Sequence, residues 1–349
     1  MAGRNDTVEP AFTIILPTHA RSDVIGCAIR SVLDQQERSF ELIVVGDGAE
    51  PGTAEAVLSC DDPRIHWMDL PKAQGFGYAN RNLALRRARG QYIAFMADDD
   101  LLFPDHLTLL KSRLDGGAVL ACTRAAWVSS DGIAAPFPNN LSLQDELTSF
   151  TTIANTLPAS CFAYRRDTFD DADHWPEDSE SAGDWRLWHR ILSARPDIPL
   201  AVEPSYSVLH FTARRRGFRV SGMPELNVLL CIADHARWWP AVLRPDINAG
   251  RSEQAAYLAA LQNDGHDLLR QALQLVTDRI AWEAIQSNLV RPGPLIDPTP
   301  FSRPAATKLP ADFDSALYLE LHPDVKKVGM KAANHWLKHG QFEGRQYRR

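Results

Sequence analysis

The chain has 349 residues, 45% of them hydrophobic and 23% charged, with a formal net charge of -7. Such a composition supports a sizeable core and about two domains, excludes a disordered chain, and argues against a nucleic-acid partner, which would more often be basic. No run of ~18 apolar residues occurs, so no membrane-spanning helix is expected.

Met1–Pro10 is polar and lacks an apolar signal core. Phe12–Leu16 is then a continuous apolar-rich run with β-branched residues, which predicts a strand buried on both faces. Ser22–Gln36 places Val24, Ile25, Ala28, Ile29, Val32 and Leu33 on one helical stripe. Phe40–Val45 reads as a second strand, closed by Gly46-Asp47-Gly48, and Thr53–Ser59 as a short helix. Arg64–Leu70 is a third strand. Tyr78–Arg89 is helical, with Gly90 placed as a C′ residue, and Tyr92–Met96 is a fourth strand. Pro104 stands near the start of another helix, where its missing N–H costs nothing.

This alternation predicts an α/β fold with a mostly parallel sheet flanked by helices. Ligands of such sheets bind at the carboxyl ends of the strands, so the loops to inspect begin at Pro17, Gly46, Pro71 and Ala97. Beyond Leu120 the pattern is irregular. Ser129–Asn140 reads as a loop, Cys161–Tyr164 as a strand and Asp184–Ser193 as a helix; Pro224 to about Asn288 is mainly helical. Pro292–Pro310 carries six prolines and reads as a linker. The expected division is residues 1–222 as the α/β domain, 223–291 as a helical extension, 292–310 as the linker and 311–349 as a small module. The five cysteines are scattered and form no CxxC pair, which points to reduced thiols in a cytoplasmic protein.

Asp98-Asp99-Asp100 carries the strongest local signal. Three adjacent carboxylates repel one another unless solvated or bound to a cation. A hard divalent ion would relieve that repulsion, and magnesium takes one or two carboxylates while phosphate oxygens and water complete its shell. The competing reading is a solvated loop that caps the next helix. Position favours the first, because the triplet follows a buried strand.

The order of segments resembles family 2 glycosyltransferases of the GT-A type. The carrying residues are Thr13-Ile14-Ile15-Leu16-Pro17-Thr18, Ala28 to Gln35, Glu41 to Gly48, Arg81-Asn82, Arg89 to Phe95, and the Asp triplet with Pro104 and Leu107. Together they extend the resemblance over roughly residues 11–215.

The resemblance implies an inverting transfer of a hexosyl group from a nucleotide-sugar, a UDP-sugar by the match at Asp47, to a glycan or lipid-linked acceptor in bacterial surface-polysaccharide synthesis. It implies Mg²⁺ or Mn²⁺ as cofactor. Pro17, Thr18, Asp47, Arg81 and Asp98 fall at nucleotide-sugar positions, with Asp99 as the direct metal ligand and Asp184 as the catalytic base. His210 matches a metal position and Arg214 a diphosphate position; a buried histidine beside a basic surface loop is the competing reading. Asp184 can equally be a helix N-cap, and Asp47 an ordinary turn aspartate. Two departures stand out: Gly46 and Ala97 occupy places where many relatives carry Asp.

A nicotinamide-dependent oxidoreductase is disfavoured, because Pro17-Thr18-His19-Ala20-Arg21 has no glycine where the dinucleotide fingerprint belongs. The last segment resembles a module appended to bacterial surface-polysaccharide glycosyltransferases. From Lys326 to Arg349 it holds seven Lys/Arg against one acidic residue, Glu343. Two readings stand for this basic end: peripheral contact with anionic lipid or an acidic glycan at the inner face of the membrane, or a solvated cap.

Overall fold

A computed structural model describes residues 9–211 apart from 130, 131, 138, 154, 172, 179–181 and 199; then 229, 232–233, 236–245, 247, 251–262, 264–290, 308–327, 330–337 and 347. Among the described residues no helix is long and apolar enough to cross a membrane.

The apolar runs become strands as expected. β1 (Phe12–Thr18) lies at the centre, parallel to β2 (Phe40–Asp47) on one side and β4 (Tyr92–Phe95) on the other, with β3 (Ile65–Leu70) outside β2. The register sets Thr18 beside Gly46, so the loops after β1 and β2 open at the same sheet edge. Helices α1 (Ile25–Leu33), α2 (Pro51–Leu58) and α3 (Tyr78–Leu85) fill the connections. The stripe foreseen on α1 is the face it buries: Ile25, Ala28, Ile29, Val32 and Leu33. Burial of each large aliphatic side chain there contributes about 1.5–3 kcal/mol.

Past β4 the sheet becomes mixed. After the two-residue β5 (Leu101–Leu102) and α4 (His106–Asp115) comes β6 (Leu120–Val128), every residue of which is buried. β7 (Ala134–Pro136) pairs antiparallel with β6, correcting the expectation of loop across 129–140. Helix α5 (Gln144–Thr152) precedes β8 (Phe162–Arg165), which lies antiparallel between β4 and β6. Helix α6 (Gly183–Ala194) leads to β9 (Ala201–Phe211), parallel to β6 and antiparallel to β5. The strand order is β3-β2-β1-β4-β8-β6-β9-β5.

Gly90 differs from its expected role. Helix α3 ends at Leu85 with Arg86 as its cap, so Gly90 is not a C′ residue. A Cβ at Gly90 would lie 2.2 Å from the Thr13 amide nitrogen; glycine stands there because two backbones meet.

Helices α7 (Glu253–Leu261) and α8 (Gly265–Val290) follow. Tyr257, Leu261, Leu269, Leu273 and Val276 join the same buried cluster as the sheet. A separate small cluster holds Tyr318, Val325, Ala332 and Trp336, built on α9 (Ser315–Leu321), α10 (Pro323–Lys327) and α11 (Ala332–His335). Residues 291–307 and most of the basic end, 328–329, 338–346 and 348–349, lie outside the described residues.

Candidate active site

The acidic loop is assembled by three strands. Asp100 is fully buried, and the pairing of Leu101 with Leu209 brings it to the end of β9. There Asp100 Oδ1 accepts from His210 Nδ1 at 2.8 Å and from the Phe211 amide at 3.2 Å. Ser160 donates to Oδ2 at 2.6 Å. Asp100 is therefore spent on positioning His210. Burial favours neutral imidazole, but the Asp100 charge and hydrogen bond, with Asp99 behind them, raise the His210 pKa.

Asp98 and Asp99 are tied to the first loop. Thr18 donates its hydroxyl to Asp98 Oδ2 at 2.8 Å. Arg21 bridges the pair, with Nε 3.0 Å from Asp98 Oδ1 and Nη2 3.1 Å from Asp99 Oδ2. Burial, then the Asp100 charge, still push the Asp99 carboxyl up to about 7 against the pull of Arg21. The loop holds more negative charge than one guanidinium balances. Among the described residues no group of three His, Cys, Asp or Glu side chains is arranged to hold an ion. The donor set still fits a cation that brings its own phosphate and water ligands: one carboxylate of Asp99 and the Nε2 of an imidazole fixed through Nδ1.

Asp47 ends β2 almost wholly buried. Its Oδ1 accepts from the Ala73 amide at 2.8 Å and Asn80 Nδ2 at 2.7 Å, and its Oδ2 pairs with Lys72. Burial works against ionisation, but the Ala73 amide, the Lys72 ammonium and the Asn80 amide together hold it below the usual carboxylate range. Asp47 thus fastens the segment after β3 to the end of β2. Pro17 and Thr18 close β1 alongside.

The proposed base belongs to a second constellation. Asp184 Oδ1 accepts from Arg81 Nη1 at 3.1 Å and from the Trp175 indole at 3.0 Å. Arg81 lies within 5.0 Å of the Tyr78 ring and 5.5 Å of the Trp175 ring centroids. Asn82, the next residue of α3, exchanges hydrogen bonds of 2.9 Å with the Trp175 backbone in both directions. Asp184 is not the N-cap of α6. That place is taken by Ala182 in the left-handed region at φ 54, and Asp184 stands in the first turn without a capping bond. Such a conformation costs a non-glycine residue roughly 1–3 kcal/mol and tends to gather at functional sites. Gly183 intervenes because a Cβ there would sit 2.3 Å from the Tyr78 ring. Phe95, the last residue of β4, packs on Trp175 and Trp188 at 4.9 and 5.1 Å, joining this constellation to the strand that delivers the acidic loop.

The structure therefore unites Asp98, Asp99 and His210 in one group, Arg81 and Asp184 in another, and gives Asp47 its own. Arg214 lies outside the described residues. Sequence reasoning passed over Arg21, Lys72 and Asn80. Arg21 carried a usable signal: it is a cation four residues past Pro17, in the loop after a central strand.

Comparison with known proteins bears on this geometry. Residues 13–172 match the family described as Glycosyl transferase family 2. TuaG of Bacillus subtilis (strain 168), whose name assigns it to teichuronic acid biosynthesis as a glycosyltransferase, is 30% identical over 152 residues, 43% of this chain and 59% of that protein. The Escherichia coli UDP-Glc:alpha-D-GlcNAc-diphosphoundecaprenol beta-1,3-glucosyltransferase WfgD is 35% identical over 102 residues, 29% of this chain and 40% of that protein. In both, the matched part is less than two thirds of the relative's length. Among solved structures, S. aureus TarS 1-349 in complex with UDP-GlcNAc overlaps with a TM-score of 0.46 and 19% identity, covering 81% of this chain and 76% of that one. That overlap is too distant to transfer any residue's role. The matched segment runs from β1 through β8 and contains Asp47, Arg81, Asp98 and Asp99 on the edge where such sheets bind ligands; over that segment the chain is similar to glycosyltransferase family 2.

Proposed function

We propose that the protein transfers a sugar with inversion from a nucleotide-sugar, a UDP-sugar, to a hydroxyl of a lipid-linked or surface glycan. The observation that carries this is Asp184, held through Oδ1 by Arg81 and Trp175, while among the described residues no hydrogen bond reaches Oδ2, the oxygen that would take a proton. In the reaction the acceptor oxygen attacks the anomeric carbon, its proton passes to Asp184 Oδ2, and the bond from the anomeric carbon to the diphosphate oxygen breaks. The nucleoside diphosphate leaves with that electron pair. Positioned proton transfer of this kind contributes roughly a hundred- to ten-thousand-fold.

Asp99 and His210 would hold a divalent ion, with Asp98 and Thr18 fixing the loop around it. Bound there, Mg²⁺ or Mn²⁺ would neutralise charge on the departing diphosphate. His210 Nε2 must shed its proton to ligate, while Asp100 keeps Nδ1 in place. Pro17 and Arg81 would contact the nucleotide. The uridine donor and lipid-linked acceptor are supported by the activity in the name of the WfgD relative, and a role in surface polysaccharide by the name of TuaG. The same proposal keeps residues 1–222 as the catalytic domain, 223–291 as an extension whose described helices complete its core, and 311–349 as a separate module beyond the linker of 292–310.

The test is release of free nucleoside diphosphate from a panel of nucleotide-sugars, with lipid-linked glycan acceptors, with Mg²⁺ or Mn²⁺ and then with excess chelator. Release of UDP that depends on acceptor and ion is the expected result. Full turnover in chelator would remove the metal from the mechanism, and no release from any UDP-sugar would remove the donor assignment.

A further inference from the structure

We propose that Arg21 is an internal stand-in for the divalent ion: its guanidinium bridges Asp98 to Asp99, the carboxylate that would hold the ion, and its displacement from Asp99 couples ion binding to nucleotide binding. This rests on the reading that Asp99 ligates a metal.

Arg21 bonds one oxygen of each carboxylate, through Nε at 3.0 Å and Nη2 at 3.1 Å. A planar guanidinium suits such bridging better than an ammonium does. The Arg21 backbone is anchored: its carbonyl accepts the amides of Val24 and Ile25, which start the turn into α1, and its amide donates to Thr53 Oγ1 at 3.3 Å. Movement is thus confined to the side chain. Room for it exists in an adjoining cavity of about 150 Å³, lined by Arg21, Asp99, Phe211, Ser252 and the carboxylates of Asp23 and Glu253. In the nucleotide-free protein, the Nη2 bond to Asp99 Oδ2 competes with ligation by Asp99, and a guanidinium that swings into the cavity gives up its bond to Asp98 as well. Those bonds then oppose ion binding. Once a diphosphate contributes further oxygen ligands, the balance tips and the guanidinium gives way. Arg21 is accordingly a positioning residue that keeps the free protein from filling its site with an ion alone.

The experiment measures Mn²⁺ affinity from the free-Mn²⁺ electron paramagnetic resonance signal, with and without UDP, on folded wild-type protein, Arg21→Gln and Arg21→Lys. Loss of two such bonds predicts about tenfold or greater tightening without UDP for Arg21→Gln. Affinity in the presence of UDP should change much less, so the gain that UDP confers shrinks. Arg21→Lys, a cation without the planar fork, should fall between. Mn²⁺ should also raise the unfolding temperature of Arg21→Gln more than that of wild type. An equal shift with and without UDP means a general field effect and overturns the proposal, as does no shift. Absence of Mn²⁺ binding by wild type even with UDP overturns the metal reading itself and this proposal with it.

Discussion

The two carboxylate groups at the ligand edge are built on opposite electrostatic terms. The acidic loop gathers Asp98, Asp99 and Asp100 around one guanidinium, and Asp99 is left hard to ionise. Asp184 stands alone against Arg81 and an indole N–H, with its charge matched. A surplus of buried negative charge is a receptor for a cation. A matched carboxylate with one oxygen uncommitted is suited to a proton. On the proposed function, binding falls to the first and chemistry to the second, and substitutions in each can separate the two.

The largest effect belongs to Asp184→Asn. Its side-chain oxygen can still accept from Arg81 and Trp175, so donor affinity should stay close to wild type while transfer falls roughly a hundred- to ten-thousand-fold. Donor affinity and transfer measured on one preparation check this; near-normal transfer would give the base to another carboxylate, such as Asp178. Asp99→Asn should act the other way. Donor affinity supported by Mn²⁺ should drop about tenfold or more while affinity in chelator stays put. Titration calorimetry with UDP reads the difference, and equal affinities in both conditions would dissolve the contrast between the two groups.

Two histidines extend the comparison, since both touch β9. His210 is drawn toward its charged form by Asp100, whereas His106 is buried against Ser207 Oγ at 2.8 Å and burial pushes its pKa down to about 3. The folded pKa of His106 lies below the unfolded value of ~6.5, so the unfolded chain binds more protons between them. Its contribution is present above about pH 6.5 and is lost as pH falls toward about 3, with a slope of at most about 1.4 kcal/mol per pH unit. Denaturant unfolding from pH 7 to pH 4 should give a shallower slope for His106→Gln than for wild type. The smallest effect is expected from removing the C-terminal cluster: a chain ending at Pro310 should bind UDP normally, and loss of binding in the folded truncation would tie residues 311–349 to the donor site.

How much of this was legible follows from where the side chains find partners. β1, β2 and β4 could be read because their runs are rich in apolar residues. β6 was hidden by Thr123-Arg124, and β9 by Glu203-Pro204-Ser205. In the fold Arg124 lies 4.1 Å over the Tyr206 ring, and Glu203 pairs with Arg113 at 2.8 Å and with Ser205 at 2.7 Å. Periodicity treats Thr123, Arg124 and Glu203 as solvent-facing; tertiary contacts bury them. The acidic triplet was visible on its own, whereas Asp47 and Asp184 drew attention only through resemblance. Their partners were out of reach. Arg81 meets Asp184 across 103 positions, and Arg21 meets Asp98 across 77.

The bond between Asp100 and His210 sets a timetable for the nascent protein. The two residues are 110 positions apart, and β5 can pair only after β9 has been made. At 5–20 residues per second, a ribosome takes on the order of ten seconds to bring out the second after the first. Throughout that interval the first four strands can already pair, yet Asp100 has no imidazole to meet it. The acidic loop is therefore finished late, and a chain stalled before residue 210 would display the sheet's opening half with Asp100 still unpaired from His210.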